Sequence, residues 1–121
     1  MGYAVKLQSR RPNESIILAY GKNGGTAYSW PLAYINEKYV SAETISGNNR
    51  NLLITFKKAF KNALLSYYDC KFTKTSGNFT IEPIVTTGTY NEFIYNLVSI
   101  KPQDQFTILG VSAWSCYALY G

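Results

Sequence analysis

The sequence contains no histidine, and that single absence excludes a long list of chemistries. Catalytic triads built on an imidazole, histidine general bases, HExxH metalloproteases, zinc fingers with mixed Cys and His ligands and proximal-histidine haem sites all need that side chain. Cysteine is nearly absent as well. Cys70 and Cys116 stand far apart with no CxxC, and two thiolates cannot build a four-thiolate zinc or iron–sulfur centre. The acids Glu14, Glu37, Glu43, Asp69, Glu82, Glu92 and Asp104 form no DxD or ExxE pair, the kind of close spacing that two-metal and acid/base sites often show. Gly21-Lys22-Asn23-Gly24-Gly25 is glycine-rich but lacks the GxxxxGK[ST] spacing of a phosphate loop. With a strand expected after it, it reads as a connecting loop. These absences predict a protein that is not an enzyme, with no cofactor and no metal.

Charge is scarce too. Only 16% of residues are charged, against about 25% in a typical soluble domain. No apolar run approaches the roughly 20 residues of a membrane-spanning helix. The opening Met-Gly-Tyr-Ala-Val-Lys has no apolar signal core, so the expectation is synthesis without a signal peptide and residence in the cytoplasm or within a virus particle, with reduced thiols. Lys6 stands where the myristoylation pattern after Gly2 needs Ser or Thr. The glycosylation patterns at Asn13 and Asn78 mean little without secretion.

What fills the chain is neutral and aromatic. Its 121 residues are 46% hydrophobic and include 11 Tyr. Alongside these are 10 Asn, 10 Ser, 10 Thr and 9 Gly. The length predicts one globular domain over residues 1–121. Tyr and Thr favour strands, while Asn and Gly favour turns. Tyr, Ser, Asn and Gly are also the residues of contact surfaces, because Tyr offers rigid amphipathic area at low entropic cost. The net charge of +5 is uneven: residues 1–74 hold 11 basic and 4 acidic side chains, residues 75–121 only 1 and 3. Such asymmetry points to an anionic partner for the N-terminal part.

Read for periodicity, the chain predicts an α+β fold, a mostly antiparallel sheet with two helices, in the order βββ-α-ββ-α-β. Residues 3–9 and 15–20 form a hairpin candidate around Arg11-Pro12-Asn13-Glu14, and Thr26 to Trp30 a third strand. Residues 32–45 are ambiguous, with a short strand near 38–40. The spacing of Leu53, Phe56, Phe60, Ala63, Leu64 and Tyr67 predicts a long amphipathic helix over about 50–68, with Arg50, Lys57, Lys58 and Lys61 on its opposite side. A hairpin around Ser76-Gly77 follows. Thr89 and Glu92 have capping-box spacing and predict a shorter helix over about 90–99. Residues 105–120 read as a long strand, or two strands broken at Gly110. Apolar side chains on both of its faces predict a central strand or one in a subunit contact.

Three functions follow as expectations. The first is a non-enzymatic protein-protein interaction and self-assembly protein, a viral or phage structural component. Its contact would be the C-terminal strand with Trp114, Tyr117, Leu119 and Tyr120, which could pair with a neighbouring chain. The second is a single-stranded nucleic-acid-binding module with an OB-like barrel, using Arg50, Lys57, Lys58, Lys61 and Trp30. The third is a glycan-binding domain in which Trp30 or Trp114 stacks on a sugar ring.

Overall fold

From residue 48 onward the apolar side chains alternate, and the chain is built from strands. The computed structural model describes residues 15–22, 33–45, 48–87 and 92–121, with backbone only at 48–49 and 87. The strands are β1 (Ile17–Lys22), β2 (Tyr34–Ile35), β3 (Val40–Ile45), β4 (Asn48–Phe56), β5 (Phe60–Tyr68), β6 (Cys70–Ser76), β7 (Thr80–Thr87), β8 (Glu92–Ile100), β9 (Gln105–Gly110) and β10 (Cys116–Tyr120). No helix occurs among the described residues.

The α+β expectation is therefore overturned. The stretch 50–68 is two strands joined by the exposed turn Lys57-Lys58-Ala59. β4 buries Leu52, Ile54 and Phe56, and β5 buries Ala63, Leu65 and Tyr67. Two period-2 patterns joined by a three-residue turn reproduce helical spacings across the junction. No Gly or Pro marks the break, and the Leu, Ala and Lys content favours helix locally. Tertiary pairing overrides that propensity. The expected helix over 90–99 is likewise β8 from Glu92 onward; Thr89 lies outside the described residues. The strands expected at 3–9 and 26–30 also lie outside them.

Two antiparallel sheets result. One has six strands in the order β2-β1-β10-β5-β8-β7, the other four in the order β3-β4-β9-β6. They pack face to face across one core, with Leu18, Leu65, Leu97 and Leu119 from the first sheet meeting Val40, Ile54, Phe106 and Ile108 from the second. Aromatic rings bridge the layers. Phe56 lies 6.0 Å from Phe60 between centroids, and Phe72 lies 5.6 Å from Tyr95. A single OB-like barrel is not formed, because β6 and β7, expected as a hairpin, part at Gly77 into different sheets.

The pairing is nested. β1 pairs with β10, β4 with β9 and β5 with β8, while β10 also pairs with β5 and β9 with β6. Eight antiparallel strands folded in this way have the strand order of a jelly roll. The departure is at the innermost pair: β7 lies beside β8 instead of β6.

The break at Gly110 divides β9 from β10, and both strands are central, one in each sheet. Both edges of each are already paired, so the C-terminal strand cannot take up a strand from a neighbour. Of the outermost strands in the six-stranded sheet, β2 has two residues, and β7 carries Pro83 and a register shift. Short, proline-bearing or irregular edges resist strand addition.

Three turns meet at one end of the sandwich. Phe56 N–H donates to the Asp104 carbonyl (2.9 Å), Gln103 N–H to the Phe56 carbonyl (2.8 Å) and Lys57 N–H to the Tyr39 carbonyl (2.7 Å). Lys101-Pro102-Gln103-Asp104 closes with Asp104 N–H on the Lys101 carbonyl. With Pro at the second position and φ of 77° at Gln103, this is a type II geometry. Gly77, with φ of 105°, packs its backbone on the Asp104 carboxylate and leaves no room for a Cβ.

Candidate functional site

Two parts of the surface stand out, the outer face of the six-stranded sheet and the two ends of the sandwich. Register decides which side chains share that outer face. Lys22, Cys116, Tyr68 and Glu92 lie in one row across β1, β10, β5 and β8. Tyr20, Ala118, Ser66 and Ile94 form the next, and Ile17, Tyr120, Leu64 and Asn96 the third. Tyr34 on β2 extends the middle row and stacks on Tyr20 with centroids 5.4 Å apart. Across these four strands the rows contain one cation and one anion, at opposite ends of a single row, and β7 adds Glu82 at the end of the third. A shallow cleft of about 440 Å³ lies on the β1–β10 part of the face, beside Tyr20, Lys22 and Tyr120. Nearer β7, Asn96 donates to Asn62 (3.1 Å) and to Glu82 (3.0 Å).

The structure separates the residues expected to form one contact. Tyr117 and Leu119 point into the core and are buried. Tyr120 lies half-buried on the outer face, and Trp114 is 77% exposed on the β9–β10 loop. That loop is held by hydrogen bonds. The buried Ser115 hydroxyl accepts from Val111 N–H (3.0 Å) and Ser112 N–H (3.1 Å) and donates to the Asp69 carbonyl (2.6 Å). The Ser112 hydroxyl donates to the Asp69 carboxylate and accepts from Trp114 N–H (3.0 Å). Asp69 sits at φ of 56°, a left-handed conformation that Asp tolerates better than most residues. An exposed indole thus stands on an anchored loop.

The expected basic stripe changes shape. Lys57 and Lys58 lie on the β4–β5 turn and Lys61 near the start of β5, all exposed. Arg50 sits six residues before Phe56 on β4, about 20 Å along the strand, and does not join them. Trp30 lies outside the described residues. The turns beside Lys57 bring two residues that the sequence did not single out, Lys38 and Lys101. Only their hydrogen-bonded turns unite these lysines, and sequence spacing carries no trace of it.

Neither cysteine is activated as a nucleophile. Burial pushes the Cys70 thiol up to about 12, and the nearby Cys116 adds to the shift. Burial raises Cys116 as well. Both therefore stay protonated near neutrality, and the thiol is the unreactive form. Among the described residues no group of three or more Cys, Asp or Glu could hold a metal ion. No helix among them is long and apolar enough to cross a membrane. Comparison with family models, curated proteins and solved structures finds no match to this chain.

Proposed function

We propose that this chain is a non-catalytic contact protein that associates with copies of itself through the outer face of the six-stranded sheet, as a structural subunit of a virus or phage particle. The observation that supports this reading is the placement of charge on that face. A two-fold axis parallel to the strands, between β10 and β5, lays each row over itself in reverse. Lys22 then stands over Glu92 of the second copy, Tyr20 over its Ile94 and Tyr120 over its Leu64. Within one copy Lys22 and Glu92 are three strand spacings apart, about 14 Å, too far to pair. Along the Lys22–Glu92 row the face complements itself, as an isologous contact requires.

Its size is adequate. Six strands at about 4.8 Å and six residues at about 3.3 Å make a face of roughly 29 by 20 Å. Two such faces bury on the order of 1,100 Å², just above the area that marks a specific interface. Neutral aromatic surface suits the role, because desolvating it costs less than desolvating charge.

Charge reversal tests the arrangement. Light scattering after size-exclusion chromatography, at low and physiological salt, measures the oligomer. Lys22→Glu alone sets like charges together and lowers association, and Lys22→Glu with Glu92→Lys restores it. A parent protein that stays monomeric at high concentration refutes the reading, and a single reversal without effect refutes the geometry. A glycan-binding reading retains one supporting observation, the exposed indole of Trp114, which could stack on a sugar ring. Loss of signal on a glycan array after Trp114→Ala would favour it.

A further inference from the structure

The end of the sandwich where three turns meet concentrates the net charge of the described chain. Lys38, Lys57, Lys58, Lys61 and Lys101 are all exposed there. The carboxylates beside them are Glu37 and the buried Asp104, which is occupied in accepting Lys101 N–H at 2.9 Å. The other described residues balance, with Lys22, Arg50, Lys71 and Lys74 against Glu43, Asp69, Glu82 and Glu92. A soluble protein has no need to segregate its charge in this way.

The turns that carry Lys38, Lys57 and Lys101 are also tied to one another. Backbone hydrogen bonds of 2.7–2.9 Å tie the Lys57 turn to those carrying Lys38 and Lys101. The Lys57 ammonium is set by the Glu37 carbonyl at 2.6 Å, and Lys38 lies 5.5 Å from the centre of the Tyr39 ring. A cationic surface carried on rigid turns needs little ordering when an anion binds.

We propose that this basic end binds the phosphate backbone of a nucleic acid, without reading base sequence. Phosphodiesters spaced along a strand match several separated point charges, which a single small anion does not. Lysine, a flexible point charge, suits phosphate contact without the geometric selectivity of arginine. None of the large exposed apolar side chains among the described residues lies on the three lysine-bearing turns, so the end lacks the apolar insertion that commonly adds to charge in holding a protein on a bilayer.

The test is fluorescence anisotropy of labelled single-stranded DNA and RNA 20-mers with the intact protein across a salt series. Four to five neutralised phosphates give a slope of about −3 to −3.5 in log affinity against log salt, or roughly a hundredfold loss between 50 and 200 mM. The triple variant Lys57→Glu, Lys58→Glu, Lys101→Glu should lose at least tenfold in affinity and flatten the slope. Lys71→Glu, on the outer face of the four-stranded sheet, should bind as the parent does. Circular dichroism confirms that each variant is folded. Three results overturn the proposal: no binding to either 20-mer, unchanged binding by the triple variant, or equal losses in Lys71→Glu. Binding to anionic phosphatidylserine vesicles in place of nucleic acid overturns it too.

Discussion

Removing one hydroxyl should loosen the loop that presents Trp114 and destabilise the whole sandwich. Ser115 is fully buried, and its oxygen holds Val111 N–H and Ser112 N–H while donating to the Asp69 carbonyl. In Ser115→Ala both donors lose that acceptor. Val111 N–H keeps a second one, the Asp69 carbonyl at 3.2 Å, which also leaves that carbonyl paired. The cost therefore falls on Ser112 N–H, which loses its bond to the buried Ser115 oxygen at a half-buried position. Such a group costs about 1–3 kcal/mol. A value near 2 kcal/mol lowers the folded-to-unfolded ratio about thirtyfold and the urea midpoint by about 1 M at an unchanged slope. Urea unfolding followed by circular dichroism measures this, and amide exchange at Val111 and Ser112 shows whether the loop opens locally. Ser112→Ala should cost less, because the Trp114 N–H that it frees is exposed and finds water, and the Asp69 carboxylate that loses a donor is only half-buried. A Ser115→Ala midpoint within about 0.2 M of the parent, or a larger loss in Ser112→Ala, would refute the reasoning.

Other perturbations have equally definite outcomes. Gly77→Ala forces a Cβ onto the Asp104 carboxylate at a positive φ and should cost about 3 kcal/mol in thermal or urea unfolding. Combining it with Asp104→Ala should cost less than the two single losses together, because the closest contacts, those with the carboxylate, are gone. Trp114→Asp should leave stability within about 0.5 kcal/mol of the parent, since the side chain is exposed; a large loss would mean that the indole packs on the protein. Cys70 keeps its proton when folded up to about pH 12 but releases it near 9 when unfolded. Its contribution to stability is therefore complete below pH 9 and lost progressively between 9 and 12. Unfolding midpoints across that range should fall more steeply for the parent than for Cys70→Ala. Native thiols should react slowly with a thiol reagent at pH 8 and quickly once urea unfolds the chain.

Parts of this architecture were legible in the residues. The apolar run of β1, the break at Gly110 and the central position implied by two-sided apolar strands all appear in the structure, because each depends on local punctuation or on alternation. The helix expected at 50–68 failed for an equally local reason. Phe56, Ala63 and Tyr67 are buried as expected, but Leu53, Phe60 and Leu64 are only half-buried, and Leu52, Ile54 and Leu65 take their place in the core. A hairpin turn made of Lys-Lys-Ala gives no turn signal. Position on the surface was harder still. Tyr117 and Tyr120 look alike in the sequence, and only the β10 register sends one inward and the other out. The union of Lys38, Lys57 and Lys101 depends on hydrogen bonds between turns up to about 50 residues apart, which no window along the chain can reveal.

The nested strand order has a consequence for how the chain is made. Tyr120 pairs with Ile17, and β10 lies between β1 and β5 in the middle of its sheet. Until residues 116–121 have left the ribosome, β1 has no neighbour on one side and β5 none on the other. The early strands must wait with open edges and exposed leucines, which exposes a nascent chain to aggregation and to capture by chaperones. Closing a loop of about a hundred residues to join β1 with β10 also places the molecule among slowly folding topologies. A sheet whose central strand is residues 116–120 has no finished outer face until those residues have been made.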